Sequence, residues 1–155
     1  MHHVVIGAGP AGVTACETLR QLDPQADLTL IGDEPEPPYA RMAIPYFLTG
    51  RIGEAGTHLR KAPEHFERHG IQVRRTRVNA VDTRAGGLEL RGGERLGYDR
   101  LLIATGSTPG IPPVPGIDSP GVHPCWTLAD AREIVSRARP GAQVLLMGAG
   151  FIGCI

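Results

Sequence analysis

The first 34 residues contain two apolar runs separated by a stretch of helical periodicity. HHVVIG and DLTLIGDE are short and apolar, and the first ends at a glycine, which is typical of buried parallel strands. Between them we expect a helix from Ala11 to about Asp23, because Pro24 disfavours helical geometry in the residue before it. This β-α-β opening predicts two parallel strands joined by a right-handed crossover. The apolar face of the helix consists of Val13, Cys16, Leu19 and Leu22.

Shorter elements follow in the middle of the chain. A helical stretch is expected around residues 42–48, and KAPEHFERHG predicts a helix that begins at proline and ends at glycine. The segments IQVRRTRVNAVDT, LELRGG and ERLGYD have the alternation of a small antiparallel addition with one polar face. RLLIATG predicts a further apolar strand that ends in small residues.

The proline-rich segment STPGIPPVPGIDSPG predicts a crossing between two structural units. TLADAREIVSRA then predicts a helix that is capped by Thr127, with Asp130 three residues further on. AQVLLMG predicts one more buried strand, and the fold class is therefore α/β. The expected apolar face of the capped helix consists of Leu128, Ala131, Ile134 and Val135.

Composition narrows the classes of partner. Hydrophobic residues make up 41% of the 155 positions and charged residues 21%, as in ordinary soluble globular proteins. Sixteen basic residues balance sixteen acidic ones, so no net field attracts nucleic acid or an acidic membrane, and we expect small molecules or proteins as partners. Because no apolar run is long enough to span a bilayer and no signal-type segment precedes the first strand, we expect a cytoplasmic protein.

Neither the cysteines nor the histidines have the spacing of a metal site. The three cysteines lack C-x-x-C spacing, so we expect reduced, mostly buried thiols and neither a disulfide framework nor a zinc site. Solvated or capping roles are expected for the histidines, and no metal is predicted. The residues concerned are Cys16, Cys125, Cys154, His58, His65, His69 and His123.

Candidate chemistry begins with a Gly-x-Gly-x-x-Gly motif formed by Gly7, Gly9 and Gly12. In such a motif the first glycine allows a tight turn, the second lets a diphosphate approach the backbone, and the third allows the helix to pack closely on the strand. The motif follows a predicted strand and opens a predicted helix, and Asp33 lies 21 residues beyond Gly12. The sequence therefore predicts a dinucleotide site in which Asp33, or alternatively Glu34, binds the adenosine ribose. A solvated turn acid remains the other interpretation of each carboxylate.

Gly148, Gly150 and Gly153 repeat the motif after QVLLM. Here the sequence ends before a helix and a following strand could be read. A second nucleotide site is one interpretation, and a glycine-rich loop that packs without a ligand is the other.

Four segments in this order resemble the N-terminal part of the FAD-dependent pyridine-nucleotide oxidoreductases: VVIGAGPAG, LTLIGDEPEPPYAR, YDRLLIATGSTP and VLLMGAGFIG. Among these the chain is most similar to NAD(P)H-dependent ferredoxin or rubredoxin reductases and to the flavin part of assimilatory nitrite reductase. The resemblance implies FAD on the first motif and NAD(P)H on the second. It also implies a three-layer Rossmann-like FAD-binding domain, first segment 1–112, and the truncated start of a Rossmann-like NAD(P)H-binding domain, 113–155.

The resemblance also assigns roles to single residues. Arg41 would reach the FAD phosphates or the flavin, although an exposed surface arginine is the alternative. Tyr46 stands where many ferredoxin reductases have a lysine beside the flavin, so that role is not carried over. The implied FAD-binding residues are Gly7, Gly9, Pro10, Ala11 and Gly12 at the diphosphate, Asp33 or Glu34 at the ribose, and Ala104, Thr105 and Gly106 on a strand that lies close to the cofactor.

The function implied is an oxidoreductase that passes electrons from NAD(P)H through FAD to a ferredoxin- or rubredoxin-like protein or a small acceptor. Redox cysteines are missing from this region, so we expect direct flavin-to-acceptor transfer and name no catalytic residue. We expect an N-terminal fragment that is inactive alone and retains FAD weakly, within a parent that forms a homo-oligomer. Two alternatives remain: a non-catalytic dinucleotide-binding module, and a dehydrogenase that uses only NAD, in which ATGSTP and the later glycines would have no function.

Overall fold

The computed structural model describes residues 1–148, which lie in two compact units. The first unit comprises Met1–Ala40 and His58–Ser107, and the second comprises Arg41–Thr57 and the residues from Thr108 onward. The predicted domain boundary at residue 112 stays a prediction. The strands are β1 (His2–Ile6), β2 (Asp27–Gly32), β3 (Ile71–Arg75), β4 (Val78–Asp82), β5 (Gly87–Leu90), β6 (Arg95–Gly97) and β7 (Arg100–Ile103), and the helices are α1 (Pro10–Leu22), α2 (Ile44–Leu48), α3 (His65–Arg68) and α4 (Leu128–Arg137).

A parallel sheet with the strand order β3-β2-β1-β7 forms the centre of the first unit. Helix α1 makes the crossover between β1 and β2, which confirms the predicted β-α-β opening. Strand β7 pairs with β1 and is an edge strand of the described sheet, where Ile103 is 60% exposed. All of these strands end at the same edge of the sheet, because they are parallel.

Both faces of this sheet are covered. On one face, Val5 and Leu30 pack against Val13 and Cys16 of α1. On the other face, the antiparallel sheet β4-β5-β6 supplies buried leucines, of which Leu88 is 1% exposed. Alternate residues of each central strand therefore enter different cores, as the two-residue repeat of a strand requires. The result is the α/β three-layer arrangement expected from the sequence.

One strand assignment is wrong. The segment IQVRRTRVNAVDT is predicted to belong entirely to the antiparallel addition, but its first half is β3, which pairs in parallel with β2. Only the second half, β4, joins the antiparallel sheet. The reason is burial: Ile71 is 3% exposed and packs in the core beneath α1, together with Val73.

The predicted helices form, with two local differences. Leu22 is assigned to the apolar face of α1 but is 79% exposed, because it ends the helix beyond the packed turns. KAPEHFERHG forms only the single helical turn α3, which starts at His65 instead of at the proline.

The second unit is organised by two helices and two short 3-10 turns, Arg41–Ala43 and Glu54–Thr57. Helix α2 packs against α4, where Leu128 and Ala131 are fully buried but Val135 is 43% exposed. Thr127 caps α4 by accepting from the backbone N–H of Asp130, whose carboxylate accepts from the N–H of Thr127, so the predicted cap is confirmed.

The predicted strand AQVLLMG does not form within the described residues. Residues 142–148 have no strand geometry, and Val144 and Leu145 are 87% and 96% exposed. A strand is stable only when a neighbouring strand pairs with it, and none pairs with this segment in residues 1–148. Within the same residues, no helix is both long and apolar enough to cross a membrane.

Candidate functional site

The candidate site lies at the carboxyl edge of the parallel sheet, where the turns after three strands meet. The N–H of Gly7, just after β1, donates to the carbonyl oxygen of Ile31 in β2 at 2.7 Å. The N–H of Ala104, just after β7, donates to the carbonyl of Ile6 at 2.7 Å. These bonds bring the first glycine motif and the segment Ala104–Gly106 together, as ligand sites of open α/β sheets require.

Gly7 is required by the packing of the protein itself. Its φ is +114°, a backbone conformation that side chains of L residues rarely adopt. A Cβ atom at this position would lie 2.1 Å from the carbonyl oxygen of Ala104 and 2.9 Å from the nitrogen of Thr105. Gly7 therefore allows both the turn after β1 and the close approach of the chain that leaves β7.

Gly12 and Gly32 are also required by close contacts. A Cβ on Gly12 would lie 1.8 Å from the carbonyl oxygen of Gly7, so this glycine lets α1 pack on the turn. A Cβ on Gly32 would lie 2.7 Å from the Cβ of Ala8. Sequence reasoning missed Gly32, although a glycine directly before the candidate acid was a readable signal.

Gly9 differs from these glycines because nothing in the described residues 1–148 requires a glycine there. Its φ is −82°, and a Cβ atom there would meet no heavy atom within 4 Å. Gly9 is the N-cap of α1 and makes no side-chain cap, and the first turn of the helix contains no acidic residue. The first N–H groups of a helix lack partners within the helix and lie at the positive end of its dipole. An anionic group fits this position, with the exposed Pro10 and Ala11 beside it.

The structure distinguishes the two candidate acids. Glu34 is partly buried, and its Oε2 accepts a hydrogen bond from the hydroxyl of Tyr39 at 2.5 Å. Asp33, directly after β2, has a side chain that is 49% exposed, and its Oδ2 lies 3.4 Å from Nη1 of Arg77. Asp33 is therefore the more accessible carboxylate at this edge. Arg77 is a second residue that sequence reasoning missed.

The segment Ala104–Gly106, which follows β7, is largely exposed at this edge of the sheet. Ala104 is partly buried against the α1 side of the core, whereas Thr105 and Gly106 are exposed. Gly106 has a φ of +69° and no atom within 4 Å of its Cβ position. This glycine is required by its turn conformation and leaves space in front of the backbone.

Arg41 belongs to the second unit, where it begins a 3-10 turn. Its guanidinium carbon lies 5.1 Å from the centroid of the Trp126 ring, within the range of a cation–π contact. Tyr46, in the place of the lysine of similar reductases, is 51% exposed. The structure thus gives Arg41 an aromatic neighbour, and its role at a cofactor stays a prediction.

Of the second glycine motif, only Gly148 is described. Its φ of +108° is close to the +114° of Gly7, the residue at the same place in the first motif. Gly148 therefore has the same positive-φ conformation as Gly7. Gly150 and Gly153, like Cys154, lie outside the described residues.

A polar cluster fixes the helix that carries the site. Glu17 of α1 accepts hydrogen bonds from Nε of Arg60 at 2.6 Å and from Nε2 of His65 at 2.7 Å, and a second oxygen accepts from Nη2 of Arg60. The hydrogen bond from Arg60 holds the pKa of the Glu17 carboxyl below its usual range, against a smaller opposing effect of burial. The cluster ties α1 to the chain that enters α3.

Replacing Glu17 by glutamine is expected to destabilise the protein by roughly 1–3 kcal/mol at neutral pH, the cost of losing hydrogen bonds to a charged group. Because the pKa is lowered by folding, the stabilisation is present above the unfolded value of about 4.3 and is lost as the pH falls through the folded value. Urea midpoints of the two proteins, measured at neutral and acidic pH, should therefore converge in acid. Glu67→Gln, an exposed change on α3, serves as the control. A difference that is independent of pH would contradict this assignment.

Cys16 is a core residue and not a reactive thiol. It is completely buried against the sheet, and burial, with a smaller contribution from the charge of Glu17, raises its pKa to about 11. A thiol with so high a pKa carries little thiolate at neutral pH. Cys125, which was expected to be buried, is instead exposed. Partial desolvation of its thiol, and then the charge of Asp130, raise its pKa.

Comparisons with known proteins agree on one family. The family model described as pyridine nucleotide-disulphide oxidoreductase matches residues 1–155. The probable ferredoxin reductase CtmF of Castellaniella defragrans is 37% identical over 153 residues, which cover 97% of this chain and 37% of the relative. Rhodocoxin reductase of Rhodococcus erythropolis is 35% identical over 155 residues, which cover 99% of this chain and 36% of the relative.

A solved structure extends the agreement to the fold. The water-forming NADH oxidase from Lactobacillus brevis, bound to NADH, matches with a TM-score of 0.88 at 26% identity. The match covers 99% of this chain and 36% of that one. This chain therefore spans little more than a third of the length of the proteins that it matches.

Proposed function

Because the chain belongs to the pyridine nucleotide-disulphide oxidoreductase family, we propose that it forms the FAD-binding part of an enzyme that passes electrons from NAD(P)H through FAD to an acceptor. The observation that carries this proposal is the opening at Gly9: a glycine that packing does not require, at the uncapped start of a helix, at the carboxyl edge of a parallel sheet.

The chain's own backbone would bind the FAD diphosphate. At the start of α1 the N–H groups of Ala11 and Gly12 precede the first intrahelical hydrogen bond, in which Val13 donates to Gly9 at 3.0 Å. Pro10 has no N–H to leave unpaired and favours the helical φ at this position. A diphosphate at this point would be bound by amide donors and by the helix dipole, without a cationic side chain.

We assign the ribose of the adenosine to Asp33, since Tyr39 already engages Glu34. The small residues of Ala104–Gly106 would let the cofactor lie against the backbone beyond β7. We propose from the sequence resemblance alone that Arg41 contacts the FAD phosphates or the flavin.

The second motif would bind NAD(P)H in the same manner. The positive φ of Gly148 supports this assignment, and Gly150 and Gly153 are included from the sequence. When bound, FAD would supply the redox chemistry by taking up the hydride that NAD(P)H donates, while the protein would align the two nucleotides. A thiol relay through Cys16 is disfavoured by its burial and raised pKa.

The acceptor is proposed by analogy with the relatives. Two of them are named a probable ferredoxin reductase and a rhodocoxin reductase, which supports a small electron-transfer protein such as a ferredoxin. The rubredoxin-like alternative is proposed from the sequence resemblance. A homo-oligomer and a cytoplasmic location are retained as proposals.

The test uses the full-length protein. We expect it to purify with a yellow flavin that chromatography identifies as FAD, and NADH or NADPH should bleach the visible flavin band under anaerobic conditions. Adding an oxidised ferredoxin or rubredoxin should then restore the band. A colourless protein that cannot be reconstituted with FAD would refute the proposal. Bound FAD that neither nucleotide reduces would favour a non-catalytic dinucleotide-binding module instead.

A further inference from the structure

We propose that Arg77 is a positioning residue of the nucleotide site, which orients the carboxylate of Asp33 towards the adenosine ribose. This inference rests on the proposed FAD-binding function and adds a residue that neither glycine motif includes. Nη1 of Arg77 donates to Oδ2 of Asp33 at 3.4 Å across 44 positions of sequence.

Backbone hydrogen bonds fix Arg77 at this edge from two sides. The N–H of Thr76 donates to the carbonyl oxygen of Gly32 at 2.8 Å and extends the β2–β3 pairing by one residue. On the other side, the N–H of Arg91 donates to the carbonyl oxygen of Arg77 at 2.8 Å. Since Asp33 directly follows Gly32, the two side chains are brought together by main-chain bonds and not by their own attraction.

The pair is poorly suited to stabilising the fold. The side chains of Asp33 and Arg77 are 49% and 61% exposed, and exposed ion pairs contribute little to stability. Arg77 engages only Oδ2, and within residues 1–148 no other hydrogen bond or ion pair holds the carboxylate. Oδ1 is thereby left to accept a hydrogen bond from a ligand, while Oδ2 is engaged by Arg77.

The positive charge of Arg77 also acts on Asp33, in addition to the hydrogen bond. A diphosphate carries negative charge, and an acid beside it is repelled unless a cation is close. Glu34 adds another acid at this edge. Arg77 offsets the charge of Asp33 and keeps the carboxylate compatible with a bound dinucleotide.

The experiment measures ligand affinity of the full-length apoprotein. Arg77→Gln is expected to weaken FAD binding about tenfold. The affinity is measured by the quenching of flavin fluorescence on binding. ADP, which has the adenosine diphosphate half of FAD, should lose a similar factor as an inhibitor of FAD uptake. FMN, which lacks the adenosine, should bind both proteins equally. Arg77→Lys, which keeps the charge, should restore part of the affinity.

A double-mutant cycle tests whether Arg77 acts through Asp33. In the Asp33→Asn background, Arg77→Gln should change FAD affinity less than about twofold. A full effect in that background would show a direct contact with the nucleotide and overturn the inference. Arg84→Gln, an exposed change of equal charge in the β4–β5 turn, is the matched control and should leave FAD affinity unchanged.

The outcomes separate this inference from the function on which it rests. Wild-type protein that binds FAD while Arg77→Gln binds it equally well would overturn the role of Arg77 alone. Wild-type protein without affinity for FAD would overturn both.

Discussion

Replacing Gly9 by valine is expected to abolish FAD binding by the full-length protein while its fold remains intact. The φ of −82° at Gly9 is open to any residue, and within residues 1–148 its Cβ position has no neighbour within 4 Å, so the described part of the chain leaves room for a side chain. The same side chain would occupy the space through which a diphosphate reaches the amides of α1. We expect at least about a hundredfold loss of affinity, in line with several lost charge-assisted hydrogen bonds.

The measurement needs both a binding and a folding readout. Flavin fluorescence reports the affinity, and the thermal midpoint of the apoprotein should shift by only a few degrees. Gly110→Val is the matched control, because Gly110 also has open space at its Cβ position and lies outside the glycine motifs. Gly9→Ala should give a smaller loss than valine. If Gly9→Val binds FAD normally, the diphosphate does not lie at this turn.

The parts of the fold that the sequence predicts well depend on local patterns. The hydrophobic pattern within each segment is enough to predict strand β1, helix α1 and strand β2. The cap of α4 is predicted from Thr127 and Asp130 alone. The sequence alone places strand β3 in the wrong sheet, because its alternation of apolar and polar residues suits either one. Only its pairing with β2 decides between them, and that pairing depends on the burial of Ile71 against residues distant in sequence, such as Val13 and Leu30.

The same distinction applies to the candidate site. The spacing of the first glycine motif is local and could be read directly, whereas the contact of Arg77 with Asp33 and that of Gly32 with Ala8 depend on how separate segments meet. The choice between Asp33 and Glu34 also required the fold, because the hydroxyl of Tyr39 engages only Glu34 of the two.

The exposed segment before Gly148 shows a further limit of pattern reading. Its residues have the apolar composition of a buried strand, yet within residues 1–148 no strand pairs with it. An apolar run indicates that a segment is suited to burial, but its neighbours decide whether it is buried. Gly148 nevertheless has a positive φ, because this conformation is a local property that glycine adopts readily.

Replacing Gly7 by alanine is expected to have the opposite effect to Gly9→Val: the fold itself should fail. The added Cβ would lie 2.1 Å from the carbonyl oxygen of Ala104, and a φ of +114° is strained for alanine. Relief would require β7 to move away from β1, which would break the bond from Ala104 to Ile6. We expect destabilisation on the order of 4 kcal/mol or more, seen as insoluble protein or a greatly lowered thermal midpoint.

The control variant Gly92→Ala distinguishes the backbone strain of a positive φ from the steric clash of the added Cβ with Ala104. Gly92 has a φ of +90° but no atom within 4 Å of its Cβ position, so alanine there carries only the conformational cost, about 1–2 kcal/mol. The excess of Gly7→Ala over this control measures the contact between the turn and Ala104. Equal effects of the two variants would mean that the turn can relax, and that Gly7 is needed only for its backbone conformation. A clear excess would show that the first glycine brings two strand ends together, which is the condition for any cofactor to lie across both.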